Sequence, residues 1–500
     1  MSNLILETPV KLRLPYSWAE GSVYQELQDL LGYEDLGATH RWRNWKKALK
    51  NPKHWFAIKY GREALEAKVA EMDAARSKSI LFKDLQGLWT YSGMAQELCG
   101  RYGVGLERQY ELPEFGIVPW AKKPPYELRD FQVHTLELFR GFAGGAVELA
   151  TGLGKSLIMV HTLKQIGLPG VVVAPTLSIA YQLLKDLTDA FGTRLVGQFF
   201  DGKKQPGKMF VVAVSKSLMN CVEGEEATNL LRNKSVLIGD ESHLLPAESL
   251  RQVVLGLLGN IPYRFFLSGT QIRNDGADIL LQGITGPIQL KMSVKEGVDQ
   301  GFLSRPRFFQ WLVKSDSDFH TDDTLKMNRR HLHDNRNVYL HAANLINRAV
   351  LEKNRRVLVL IDEIGQFKQL LQAGMNQDVR FAHGGVTAAN KKDVPEADWK
   401  SDPMEFVAQF DSGYFPVLVG TSCIGMGTDI KSVDFIVDLM GLASETRVRQ
   451  SVGRGTRLFP GKVDCIYNDY CVENIDTLRN QARKRAKIFD EIYSPVTFMR

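Results

Sequence analysis

The chain has 500 residues, 44% hydrophobic and 24% charged, with 63 Lys and Arg against 57 Asp and Glu and a formal net charge of +6. At roughly 150 residues per domain this length suggests about three domains, and the composition excludes a disordered chain, a collagen or a coiled coil. Five cysteines without CxxC spacing exclude a disulfide scaffold and argue against zinc.

In chain order, the opening MSNLILETPVKLRLPYSW is too broken by charge and proline for a secretory signal, and no run reaches the roughly 18 apolar residues of a membrane span. The expectation is a soluble cytoplasmic protein with no membrane partner. Residues 1–120 read as a small α+β accessory domain. Its segment RWRNWKKALKNPKHWFAIKYGR at 41–62 interleaves Arg41, Arg43, Lys46, Lys47, Lys50, Lys53 and Lys59 with Trp42, Trp45, Trp55 and Tyr60. Cations bind phosphates and aromatics stack on exposed bases, so Arg41, Trp42, Arg43 and Trp45 are candidates for DNA binding. The other reading puts the tryptophans in a small core under solubilising lysines. LWTYSGMAQELCGRYGV at 88–104 reads as a turn and a helix with Leu98 toward the core.

The segment PEFGIVPWAKKPP at 113–125 holds four prolines and reads as a linker. After it, short apolar runs alternate with amphipathic helical stretches: VVVAP at 171–175, FVVAV at 210–214, SVLIGD at 235–240, RFFLSG at 264–269, RVLVLID at 356–362, PVLVGT at 416–421 and DFIVDL at 434–439. Such runs mark parallel sheets covered on both faces. There are too many for one sheet, and the series pauses between about 295 and 355. The predicted class is therefore α/β, with two tandem parallel-sheet lobes at 121–295 and 296–500, the second opening with a connecting segment at 296–350.

ELATGLGKSL at 148–157 resembles a phosphate-binding loop. Its glycines let successive N–H groups face an anion at a helix N-terminus. Thr151, Gly152, Gly154, Lys155 and Ser156 are the candidate ATP ligands, with Lys155 on the β/γ-phosphates and the Ser156 hydroxyl on Mg²⁺. Leu149 takes the place of the first glycine of the strict pattern. About 85 residues later, SVLIGDESH at 235–243 is an apolar strand ending in two carboxylates. Ligand sites in such sheets lie beyond the strands' carboxyl ends. Asp240 is accordingly the metal residue and Glu241 the group that polarises the attacking water.

These residues resemble the superfamily-2 helicases of the DExH type, over about residues 126–490 and with their motifs in order. The resemblance implies two RecA-like lobes driven by ATP and Mg²⁺. It assigns adenine recognition to Gln132 with Arg129 (LRDFQ, 128–132). It also assigns strand contact to Pro175 and Thr176 (APTLSIAYQ, 174–182), to Ser215 (VSKSL, 214–218) and to Thr421. Ser268 and Thr270 (LSGT, 267–270) would couple hydrolysis to strand movement. In VGTSCIGMGTDI at 419–430, Gly427 and Asp429 fall near the nucleotide. QSVGRGTR at 450–457 supplies Gln450, Arg454 and Arg457. Two arginines three apart on a helix share one face, and their planar forks can stabilise charge growing on a γ-phosphate.

RNDGADILLQGITGPI at 273–288 and DNRNVYLHAANLI at 334–346 are similar to segments of the XPB-like and phage UvsW-like DNA helicases. That resemblance implies work on branched or forked DNA with 3′→5′ polarity, in replication, recombination or repair. A DExH RNA helicase and the motor subunit of a restriction or remodelling complex stay open as alternatives. No RNA-binding signature and no nuclease-like carboxylate set in the first 120 residues favours either. Four histidines, His320, His331, His333 and His341, read as surface residues; HGG at 383–385 reads as a turn near the nucleic acid; RNQARKRAK at 479–487 reads as a solvated helix face.

Overall fold

A computed structural model describes residues 3–51, 55–221, 224–270, 277–383, 391, 394, 399, 403–421 and 430–500. The chain is α/β with tandem RecA-like lobes and divides into two compact units. The first holds Met1–Glu148, Ser156–Pro175 and Leu184–Lys291; the second holds Leu149–Lys155, Thr176–Leu183 and Met292–Arg500.

In the first unit the N-terminal residues form a five-stranded sheet, ordered Phe82–Asp84, Gly87–Tyr91, Lys11–Arg13, Leu4–Thr8, Leu106–Arg108. The Arg13 guanidinium ties its edge together by binding Asp84 at 2.7 Å and Glu7 at 2.6 Å. Helices Leu36–Leu49 and Arg62–Ala74 form a side lobe between these strands. The LWTY stretch read as a turn is the strand Gly87–Tyr91; the helix after it is Ala95–Tyr102, and Leu98 is fully buried.

The N-terminal sheet does not stand alone. One apolar core runs from Leu4, Leu12, Met94 and Leu98 into Ala146, Val171, Val211 and Leu237 of the next sheet. Gly93 makes this possible, since a Cβ there would meet the Gln282 carbonyl oxygen at 2.2 Å, and Gln282 Nε2 donates to Glu97 at 2.6 Å.

That next sheet has eight strands in the order Lys203–Lys204, Val196–Phe200, Phe210–Val214, Gly170–Ala174, Val236–Asp240, Tyr263–Ser268, Gly144–Leu149, Ile288–Met292. Its central strands pair in parallel. Val171, Val172, Leu237 and Ile238 are fully buried; each such side chain contributes about 1.5–3 kcal/mol relative to exposure. The proline-rich segment is no free linker. Its Gly116 N–H donates to Ile166 O at 2.8 Å, its Val118 is buried, and Trp120 stacks on Phe191 at 5.3 Å. Proline blocks regular structure but not packing, so the segment lies as an extended strap.

The second unit holds a seven-stranded parallel sheet, ordered Val379–Ala382, Val417–Gly420, Val357–Leu360, Phe435–Asp438, Asp464–Val472, Arg305–Val313, Thr497–Met499. The seven apolar runs predicted across the two lobes are all strands. The pause expected from 295 to 355 is not empty, because Arg305–Val313 is a nine-residue strand. Its first residues alternate exposed and buried around Arg305 and Arg307, a pattern that a search for continuous apolar runs passes over.

Two further expectations are corrected here. His331 and His333 are buried, not on the surface. His331 lies between Ser315 Oγ at 2.9 Å and the Phe319 carbonyl at 2.7 Å, while His341 packs on Trp311 and Tyr470. The basic run at 479–487 is not wholly solvated: Arg485 on helix Asp476–Ile492 is buried against Asp469, with Nε 3.0 Å from the carboxylate. Hydrogen-bonding these groups removes the cost of burying them.

Candidate active site

The phosphate-loop candidates follow the strand Gly144–Leu149. Gly152 and Gly154 take φ of +93° and +83°, values that strain any side chain and belong to the turns in which successive N–H groups form an anion nest. Lys155 opens helix Lys155–Ile166, and its Nζ donates to the Leu149 carbonyl at 3.4 Å. Ser156 sits half-buried in the same first turn. Leu149 needs no glycine's freedom because it is a fully buried strand residue.

Within the second unit this loop lies beside the QSVGRGTR segment. A Cβ on Gly453 would meet Thr151, and one on Gly152 would come within 3.2 Å of Arg457 Cγ. Helix Glu445–Gly455 carries Gln450 and a buried Arg454. The expectation that Arg454 and Arg457 share one helical face is corrected. The helix ends at Gly455, Thr456 turns back to donate from Oγ1 to Gly453 O at 3.1 Å, and Arg457 lies beyond. Arg457 is held by its own backbone instead, its carbonyl accepting from Ser304 Oγ at 3.1 Å.

Asp240 ends the strand Val236–Asp240 and accepts the Glu241 N–H at 2.9 Å. Glu241 takes left-handed angles, φ 48° and ψ 50°, an uncommon conformation for a non-glycine residue and one that clusters at functional sites. Its carboxylate lies 3.4 Å from both His243 Nδ1 and Ser268 Oγ. Ser268 Oγ donates to Thr270 O at 2.6 Å, which leaves its lone pairs for the Thr270 N–H at 3.3 Å and for His243 Nδ1 at 2.9 Å. With one hydroxyl proton already committed, the bonding assigns the proton to Nδ1 of His243. DESH and LSGT are thus one hydrogen-bonded unit. His243 is the residue that the sequence reading missed; its signal was the H of DESH, taken only as a family mark.

The remaining predicted residues are dispersed. Gln132 is buried in helix Asp130–Phe142 and accepts the Arg129 N–H at 3.0 Å, so it caps that helix. Burial lowers the Arg129 guanidinium from its usual value. Pro175 follows strand Gly170–Ala174, and Thr176 caps the next helix by accepting the Ile179 N–H at 3.4 Å. Ser215 opens the short helix after Phe210–Val214, and Thr421 follows Val417–Gly420. Gly427 and Asp429 lie outside the described residues, as do Gly384, Gly385 and residues 271–276.

Near the N-terminus Arg41, Arg43, Lys46 and Lys47 are exposed along helix Leu36–Leu49, which carries no carboxylate, and Lys50 is exposed at its C-cap. Trp42 and Trp45 are half-buried on its inner side. Trp42 is covered by Lys46 at 4.4 Å and Arg76 at 4.1 Å, and Trp45 meets Phe56 edge-on at 5.1 Å.

Two family descriptions match the chain: "Type III restriction enzyme, res subunit" over residues 125–273 and "Helicase conserved C-terminal domain" over residues 341–458. The chain is a superfamily-2 helicase. Putative helicase 22 of a Sulfolobus islandicus filamentous virus is 23% identical over 416 residues, 74% of this chain and 68% of that one. DNA 3′-5′ translocase XPB2 of Sulfurisphaera tokodaii is 24% identical over 398 residues, 73% of this chain and 88% of that one. Among solved structures, a fragment of a putative HsdR subunit of a type I restriction enzyme from Vibrio vulnificus shares the fold with TM-score 0.53 at 16% identity, over 81% of this chain and 73% of that one. The helicase is an enzyme of a family that uses ATP. No helix among its described residues is long and apolar enough to cross a membrane.

Proposed function

We propose that this helicase is a cytoplasmic ATP-driven DNA motor that acts on branched or forked DNA with 3′→5′ polarity, in replication, recombination or repair. The observation that carries the motor reading is the contact of Glu241 with His243 and Ser268. The carboxylate that would work on ATP touches the serine that would pass the event to the strand. XPB2, a DNA translocase by name, supports DNA as the track and 3′→5′ as the direction. The exposed cations of helix Leu36–Leu49 support an added DNA contact through phosphates, with Trp42 and Trp45 as the helix's inner packing.

In this reading the Gly152–Gly154 backbone and Lys155 hold the β/γ-phosphates, with Gln132 and Arg129 at the adenine and Gly427 and Asp429 near the nucleotide. Glu241 takes a proton from the attacking water. Arg454 and Arg457 stabilise the charge that develops on the γ-phosphate, assisted by Gln450. The Ser156 hydroxyl and the Asp240 carboxylate are hard oxygen donors at strand carboxyl ends of one sheet, a set that suits Mg²⁺, which when bound would neutralise phosphate charge. Pro175, Thr176, Ser215 and Thr421 meet the strand, and Ser268 with Thr270 relays between the two.

The restriction-motor alternative rests on the res-subunit match at residues 125–273. ATPase rates with single-stranded DNA, duplex, a four-way junction and matched RNA separate the readings. The proposal expects strongest stimulation by the junction. Stimulation by RNA alone overturns the DNA assignment, and equal stimulation by plain duplex favours the restriction-type motor.

A further inference from the structure

The turn Leu439–Ala443 leads from strand Phe435–Asp438 into helix Glu445–Gly455. Five of its backbone groups are each held by a different side chain. Leu439 O accepts from Gln366 Nε2 at 3.1 Å, and the Met440 N–H donates to Asp438 Oδ1 at 2.8 Å. Met440 O accepts from Asn328 Nδ2 at 2.8 Å, and His333 Nε2 lies 3.0 Å from that nitrogen and 3.1 Å from Met440 O. Gly441 O accepts from the Arg485 guanidinium, and the Ala443 N–H donates to Gln481 Oε1 at 3.2 Å.

Four of these five side chains are buried. Gly441, at φ +81°, is packed so closely that a Cβ would come within 2.1 Å of Leu332. A surface turn needs none of this; water would satisfy its carbonyls. The helix that follows has no side-chain cap at Ser444, so its start is fixed by the turn and not by its own first residues.

Arg485 is the part of this cradle that spans most elements. One fork reaches Asp469 on strand Asp464–Val472, the Tyr470 carbonyl at 2.7 Å, and Gly441 O in the turn. Its helix Asp476–Ile492 also grips the helix after the turn directly, Glu491 binding Arg449 at 3.1 Å. The geometry points to Arg485 as a positioning residue for Gln450 and Arg454: it sets where helix Glu445–Gly455 begins and hence where those side chains stand. This rests on the proposed role of Gln450, Arg454 and Arg457 at the γ-phosphate.

The test uses the full chain with saturating single-stranded DNA. Arg485→Lys keeps a charge for Asp469, but one ammonium cannot span three acceptors. Gln481→Ala removes a second, half-buried hold on the turn without leaving a charge in the core. Misplacement of a catalytic group by about 1 Å costs on the order of 10²-fold. Arg485→Lys should therefore lower kcat at least about tenfold, and Gln481→Ala by a smaller factor of the same sign. KM for ATP and affinity for DNA should hold within about twofold, because charge on the γ-phosphate grows only in the transition state. Unchanged kcat in both variants beside a lowered Tm overturns the inference and leaves Arg485 a structural residue. If Arg485→Lys does not fold, Gln481→Ala decides. Arg454→Ala is the reference: full activity there refutes the proposed role of Arg454, a failure distinct from loss in Arg454→Ala with none in the other two.

Discussion

Removing the carboxylate of Asp438 should change how the stability of the second unit responds to pH. Asp438 is buried at the end of its strand, bonded to the Met440 N–H at 2.8 Å and the Tyr467 hydroxyl at 2.5 Å. Burial, then the nearby charge of Asp469, raises it from 3.8 to about 6, against the opposing pull of those two hydrogen bonds and of Arg485. A raised aspartate is a liability above neutrality. Below the unfolded value both states hold the proton and nothing is lost; between 3.8 and about 6 the unfolded chain ionises first, so stability falls as pH rises, and above about 6 the loss is complete. At about 1.4 kcal/mol per unit, a shift of about two units costs about 3 kcal/mol in all, of which about 2 kcal/mol is lost between about pH 4.5 and 7.5. Asp438→Asn keeps the shape and removes the titration. Hydrogen exchange of Phe435–Asp438 and Asp464–Val472, variant against parent at each pH, cancels the intrinsic rates. Protection of the variant relative to the parent should rise by about 25-fold over that range, the same 2 kcal/mol. A ratio that does not move with pH would refute the reasoning.

Lys155→Ala should abolish ATP turnover, and Glu241→Gln should bind ATP in a filter assay yet fail to hydrolyse it; brisk turnover by the latter would remove Glu241 from the role of base. Arg457→Ala should cut kcat by about 10³-fold if it acts as a finger, and an unchanged rate would make it structural. His243→Ala removes the imidazole that links the Ser268 hydroxyl to the Glu241 carboxylate, so strand displacement should fall more than ATPase, and equal losses would argue against a relay. Neutralising Arg41, Arg43, Lys46 and Lys47 to Gln should weaken DNA binding and flatten its salt dependence by about 0.9 for each phosphate no longer neutralised; Trp42→Ala should instead loosen helices Leu36–Leu49 and Arg62–Ala74, measured by hydrogen exchange of their amides.

What the sequence made legible was whatever obeys a simple period or a fixed spacing. Strands covered on both faces read as unbroken apolar runs, and the two loops with chemistry announced themselves by glycines before Lys155 and carboxylates after Ile238. Asp464–Val472 escaped because Asn468 and Asp469 interrupt it; both are buried and bonded, Asn468 to Ile436 O and Asp469 to Gln310 and Arg485. No local pattern reveals a partner as far along the chain as Gln310 is from Asp469. Arg485 did leave a trace. It falls on the same helical stripe as Leu478, Ala482 and Phe489, all buried, so its register was apolar even though its neighbours Arg483, Lys484 and Lys487 were not.

The presence of an arginine on that stripe needs a reason other than stability. A buried ion pair seldom outperforms well-packed apolar residues of similar volume, because desolvating two charges costs about as much as their attraction returns. Arg485 and Asp469 are both almost wholly enclosed, so the pair gains little as a pair. A leucine could fill the volume, yet it could not bind the Gly441 and Tyr470 carbonyls at once, and a lone buried carbonyl costs about 1–3 kcal/mol. What the guanidinium supplies is a rigid fork of fixed geometry between three backbone segments. In the same unit, Arg355 does comparable work at a more exposed place, binding Asp464 at 2.9 Å and Asp434 at 3.4 Å, where water could substitute. At the turn before helix Glu445–Gly455 the fork is sealed from solvent, and that is where a small error in position would be carried into Gln450 and Arg454.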